Sequence, residues 1–178
     1  IKTMSKKFDL ESEVRDLCAR RDINAAVYRY MRGVDRLDRA LNLSAFHDDA
    51  FVDCGMMNGP AAEFVDFAQG FLSDMIASQH FIGQVDISVN GDNASGEVYF
   101  NAWHRIEEDG QEKDLIVGGR YIDEYECRDG DWRILKRAML VDWSRTDNEA
   151  DGFTKGNDAM LLGKRNKSDF SYARNWAK

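Results

Sequence analysis

Proline occurs once in the 178 residues, at Pro60. No stretch has the composition of a linker, and no internal repeat is present. Cysteine is scarce as well. Cys18, Cys54 and Cys127 are widely spaced, odd in number and form no CxxC, which excludes a zinc ribbon or a thiol redox motif and predicts free thiols in a reducing cytoplasm. Of the three histidines, His47, His80 and His104, no two stand at a chelating i,i+4 spacing, and there is no HExxH. Nothing demands a metal, and no cofactor is expected. Basic charge is short: 24 Lys+Arg against 32 Asp+Glu leave a net charge of −8, so phosphate backbones are repelled and nucleic acid is not an expected partner. No apolar run approaches the roughly 20 residues of a membrane helix, so no membrane partner is expected either. The first residues, Ile1 to Lys7, lack the apolar core of a secretory signal. Met4 reads as the natural start.

What is present is an ordinary globular balance, 43% hydrophobic and 31% charged, in a length that suits one domain. Asn90-Gly91, Asp109-Gly110 and Asp129-Gly130 are three hairpin signals, because these pairs accept the positive φ of tight turns. They separate four β-rich runs, His80–Val89, Ala94–Ile106, Asp114–Arg128 and Trp132–Trp143. The pattern predicts a meander of four long antiparallel strands, which must twist and curl. In the second run Val98, Phe100, Ala102, His104 and Ile106 share a face, opposite Glu97, Asn101 and Arg105. Strict alternation in the last run puts Ile134, Ala138 and Leu140 opposite Leu135, Arg137, Met139 and Val141, so both faces are substantially apolar. Helices on one side and a neighbouring subunit on the other would explain that.

The first half reads as helix from Leu10 to about Leu41, with Ile23, Val27, Tyr30, Met31 and Val34 on one stripe. Gly33 marks either a helix end or a close contact. A short strand, Ala50–Cys54, is followed by a turn at Asn58-Gly59-Pro60 and a helix over Glu63–Ala77, with Phe64, Phe67, Ala68, Phe71, Leu72 and Met75 as its buried stripe. Helices followed by a long meander make an α+β fold. The domain is expected over 10–145, after a disordered or extraneous segment 1–9. Residues 146–178 read as a tail packing on the barrel or on a neighbouring subunit.

Asp35 stands at the margin of the first helix's apolar stripe, and His80 opens the meander. If the fold joins them, the carboxylate fixes the imidazole tautomer and orients the ring; otherwise they are a solvated Asp and a surface His. His104 on an apolar face is either a hydrogen-bonded core residue or a second pocket histidine. An inward Arg137 needs an acidic partner or an anionic ligand. Tyr30 has a phenol to donate but also fits a core. The Asp48-Asp49 pair reads as solvated.

Several runs resemble the SnoaL-like family of the nuclear transport factor 2-like superfamily. They are Ala26-Val27-Tyr28-Arg29-Tyr30 through Gly33-Val34-Asp35, Asp48-Asp49-Ala50, Gln79-His80-Phe81-Ile82-Gly83, and Gly118-Gly119-Arg120-Tyr121-Ile122-Asp123-Glu124-Tyr125-Glu126. The resemblance spans roughly Leu10 to Trp143. It implies a cone-shaped α+β barrel and a homotrimer. By similarity to the family's lyases (hexachlorocyclohexane dehydrochlorinase, scytalone dehydratase, bile acid dehydratase) it also implies cofactor-free elimination on a hydrophobic hydroxylated small molecule such as a steroid. Asp35 and His80 would be the catalytic dyad, with Tyr30 and Arg137 assisting and His104, Cys54, Met31 and Phe100 contacting substrate. The same resemblance allows isomerases, polyketide cyclases and non-catalytic assembly subunits, because fold does not dictate reaction.

Overall fold

A computed structural model describes residues 8–157 and 159–176. Residues 1–7 of the expected N-terminal segment lie outside the described residues. Helix α1 runs Leu10–Asp35. Asp9 caps it by accepting from the Glu11 amide, and Glu11 and Glu13 complement the dipole of the first turn. The predicted stripe is its buried face: Ile23, Val27 and Val34 have at most 1% of their surface exposed. Burial of each such side chain stabilises the fold by about 1.5–3 kcal/mol.

The helix does not continue to Leu41. The Asp38 amide bonds back to the Gly33 carbonyl (2.9 Å) and the Leu37 amide to Val34 (3.4 Å), with Leu37 left-handed at φ 49°. This is the Schellman stop, with leucine where glycine is usual. Asp38 then starts a second helix, α2 (Arg39–Leu43), by accepting from the Leu41 amide. Gly33 serves both predicted roles. It lies in the last turn of α1, and a Cβ there would sit 2.5 Å from the backbone nitrogen of Asn42.

Strands β1 (Phe46–Asp53) and β2 (Asn58–Pro60) precede helix α3 (Ala61–Ser73). The meander β3 (Ala77–Asn90), β4 (Asn93–Glu108), β5 (Gln111–Arg128) and β6 (Asp131–Asn148) follows. The sheet order is β2-β1-β6-β5-β4-β3, with β1 parallel to β6 and every other pair antiparallel. It curls without closing. Two hairpins turn at Asp109-Gly110 and Asp129-Gly130, all four residues at positive φ, as type I′ turns require. The first turn is displaced by one residue: Asn90 pairs with Asn93, so Gly91-Asp92 forms the corner, with positive φ at Gly91. A glycine at the first corner position is the type II′ solution.

Two other readings change. In α3, Val65 is fully buried, whereas Phe67 and Phe71 are 37% and 45% exposed. Arg105 keeps the face of β4 opposite His104 and is buried there because Asp114, Glu112 and Asp151 surround its guanidinium. Strict alternation in β6 fails at Leu135. Tyr125 pairs with Ile134 but Glu124 with Lys136, so Leu135 is a bulge, and one extra residue changes the facing of everything beyond it. Ile134 and Arg137 therefore both point inward, at 0% and 2% exposure.

Strand β6 passes the expected domain boundary and ends at Asn148. Beyond it the tail folds onto its own chain. Arg165 donates to the Leu72 and Met75 carbonyls at 2.7 Å each, at and just beyond the end of α3. Lys167 (2.6 Å) and Tyr172 (3.0 Å) reach Asp38. A four-residue helix, α4 (Phe170–Ala173), begins there, capped by Asp169. No described helix is long and apolar enough to cross a membrane.

Candidate active site

Because the Schellman turn ends α1 at Asp35, that carboxylate projects from the last helical turn toward β3. One oxygen lies 2.8 Å from His80 Nδ1. The two carboxylate oxygens also accept from the His80 backbone amide, at 3.0 and 3.2 Å. The side chains are 15% and 9% exposed. With Nδ1 donating to the carboxylate, the Nε2 lone pair is left free. His80 lies on the wall of a cavity of about 310 Å³, within the size range of small-molecule pockets.

The cavity is overwhelmingly apolar. Its walls come from α1, α3 and the concave faces of β3 to β6, including Phe64, Phe71, Phe100 and Met139. Phe67 and Phe71, partly exposed on α3, are among the cavity walls. His104 stands edge-on to His80, ring centroids 5.3 Å apart, and its Nδ1 is buried without a partner among the described residues. Burial, with the neighbouring His80 second, pushes its pKa down to about 4. At neutral pH it is an uncharged imidazole offering one donor and one acceptor.

That depression makes stability depend on pH. The free imidazole titrates at 6.5 and the folded one at about 4, so across this window the unfolded chain binds a proton that the folded chain refuses. Stability is present above pH 6.5 and is lost as pH falls, by up to about 3 kcal/mol. Urea unfolding of the native chain and of His104→Gln between pH 7 and 4 checks this. The variant should show the shallower decline, and parallel curves would assign the loss elsewhere.

The other expected site residues divide. Tyr30, Cys54 and Phe100 line the cavity; Met31 and Arg137 do not. Met31 is 5% exposed and packs in the core one turn before Asp35. Cys54 directs its thiol to the Met57 carbonyl at 3.2 Å. Arg137 has found an acidic partner, Asp123, in a bidentate pair at 2.7 and 2.6 Å with both side chains at 0% exposure. Tyr125 donates to the same carboxylate at 2.7 Å.

Tyr121 is a cavity residue that the sequence reading left without a role. It stacks on Phe100 at 4.5 Å and meets Tyr30 edge to face at 5.7 Å. Its signal was available: Tyr121, Asp123 and Tyr125 alternate on β5 with Arg120, Ile122 and Glu124, so a period-two reading puts all three on one face.

A curled sheet over a long helix, with an apolar cavity between them, is the cone fold of the nuclear transport factor 2-like superfamily. Within it the chain belongs to the SnoaL-like domain family, whose profile it matches over residues 15–138. No curated protein matches it. Among solved structures, a type 2 hexachlorocyclohexane dehydrochlorinase superposes with a TM-score of 0.70 at 22% identity, covering 79% of this chain and 99% of its own. A Novosphingobium aromaticivorans protein provisionally named a scytalone dehydratase gives 0.65 at 19% identity, covering 76% and 91%. A Kribbella flavida protein whose name states no activity gives 0.64 at 18%, covering 71% and 93%. At these identities the likeness is one of fold.

Proposed function

We propose that the chain is a cofactor-independent lyase that removes water from a hydrophobic hydroxylated small molecule, such as a steroid or another polycycle. The observation that carries this reading is the 2.8 Å contact of Asp35 with His80 Nδ1, on a histidine at the wall of an apolar cavity. His80 Nε2 takes a proton from carbon next to a carbonyl, and Asp35 stabilises the resulting imidazolium. The electron pair passes through the carbonyl oxygen and returns to form the C=C bond as the β C–O bond breaks. Hydroxide leaves with the proton from His80, so the products are the unsaturated carbonyl compound and water, and the base is restored. Similarity of fold to a dehydrochlorinase, named for another elimination, supports the reaction type.

The test is a panel of polycyclic β-hydroxy ketones followed by mass spectrometry and by the absorbance of the conjugated product. Loss of one water in the presence of the protein is expected. A panel left intact would overturn the reading.

The same reading includes a homotrimer. Phe81, Tyr99, Ile122, Leu140 and Trp143 are exposed along the outer face of β3 to β6, an apolar surface of the kind that copies of a chain cover. Sedimentation equilibrium should return three times the chain mass, and a monomer would remove the assembly from the proposal.

A further inference from the structure

We propose that the tail segment Lys164–Tyr172 is a bracket that sets the geometry of the Asp35–His80 pair, with Arg165, Lys167 and Tyr172 as positioning residues. None of the three lines the cavity. This rests on the preceding reading of that pair as the working base, and adds the part of the chain that keeps it aligned.

The two members of the pair come from elements far apart in sequence. Asp35 ends α1, directly before the turn Arg36–Asp38, and His80 lies near the start of β3. The bracket grips both approaches. On the α1 side, Asp38 accepts from Lys167 Nζ at 2.6 Å and from the Tyr172 hydroxyl at 3.0 Å. Arg32 donates to the Ser171 hydroxyl at 3.0 Å, with its guanidinium over the Tyr172 ring. Arg36 Nε stands 3.7 Å from Asp169. On the β3 side, Arg165 holds the carbonyls of Leu72 and Met75 at 2.7 Å each, where α3 hands over to β3. Asp169 joins the two arms. It accepts from the amide of Lys164, next to Arg165, at 2.7 Å, and from the amide of Ser171, next to Tyr172, at 3.0 Å.

The aim of Asp35 depends on a turn that local preference does not supply. Leu37 is left-handed at φ 49°, a conformation that is costly for a residue with a side chain and persists where the surroundings over-determine it. Asp38 follows it in sequence and is 7% exposed. One of its carboxylate oxygens caps α2 through the Leu41 amide, and the other faces the bracket. The Lys167 side chain is 72% exposed, so salt screens its share and the Tyr172 hydroxyl is the firmer hold. Arg165 fastens the other approach with two nitrogens of one planar group, and such charge-assisted bonds are stronger than neutral ones. Because both fastenings belong to one unit knit on Asp169, they fix the separation of α1 from β3. A base displaced by about 1 Å loses roughly 100-fold in rate.

The test reads the His80 ring without turnover, by ¹H–¹⁵N correlation of the imidazole nitrogens at mildly alkaline pH, with His80→Gln identifying its signals. In the native chain Nδ1 should be the protonated nitrogen and Nε2 the bare one. Arg165→Met should move the two resonances toward one another, as the Nε2–H tautomer enters. So should Lys167→Met combined with Tyr172→Phe. In both, kcat for dehydration should fall about 10- to 100-fold with KM unchanged. A loss of global stability alone leaves the resonances of folded molecules where they were. Folded variants with native His80 resonances overturn the proposal. If the double variant does not fold, Tyr172→Phe alone, which keeps the ring beside Arg32, decides on the same resonances. An inactive dehydration panel with bracket-dependent resonances removes the lyase and leaves the bracket standing. Turnover and resonances that are both indifferent to the bracket do the reverse.

Discussion

Replacing Arg137 with methionine is expected to destabilise the fold by about 3–5 kcal/mol, the range for removing one partner of a buried ion pair. The cost arises from what is left behind. Asp123 would be left 1% exposed without its guanidinium, with the Tyr125 hydroxyl as its one remaining side-chain donor among the described residues. Asp123→Asn should fall in the same direction, since it strands the cation against Tyr30 and Tyr121. The pairing Asp123→Leu with Arg137→Met should recover much of the loss, because apolar groups of similar volume need no solvation. Urea midpoints of the two single variants and the double variant measure the coupling directly. A loss below about 1 kcal/mol for Arg137→Met would place this pair with exposed salt bridges in its energetics, against its geometry.

The largest effect on activity is expected at the half-buried pair of Asp35 and His80. His80→Ala should lower kcat for dehydration by about 10²- to 10⁴-fold, the usual contribution of a positioned general base. Asp35→Asn should approach that value without unfolding the chain. Its amide oxygen can still accept from the His80 amide, but it cannot serve that amide and Nδ1 as two carboxylate oxygens do. The ring then loses its fixed tautomer. Asp35→Ala should add a stability loss of about 1–3 kcal/mol, because the His80 N–H is left without its acceptor. Steady-state kinetics with matched unfolding curves separate these effects. If His80→Ala retained full activity, the proposed base would be wrong.

How much of the site could be read in advance depended on the distance over which each signal acts. Asp35 and His80 were legible as candidates because a carboxylate at the edge of an apolar stripe and a histidine at a strand start are local anomalies. Their contact joins positions 45 residues apart, and local patterning says nothing about such a pairing. Arg137 was legible as a cation that would need a partner if it faced inward. That the partner is Asp123 follows from the β5–β6 register, in which the two residues are opposite one another. Tyr121 had a visible alternation with Asp123 and Tyr125, but a tyrosine on an inward face is also an ordinary core residue, so nothing local marked it as part of a site.

The sequence by itself determined the meander, the two Asp-Gly hairpins and the buried stripe of α1, because backbone dihedrals at turns and side-chain periodicity are set within a few residues. Only the tertiary structure decided where α1 stops, since Leu37 adopts a left-handed corner without a glycine to announce it; the packing of α2 against Gly33 accompanies that corner. Only the tertiary structure decided that Leu135 bulges, which turns Arg137 inward beside Asp123 and behind the tyrosines. Both features govern the cavity, and both are choices between local conformations of similar energy. Burial of distant side chains, at a few kcal/mol each, is large enough to settle such choices.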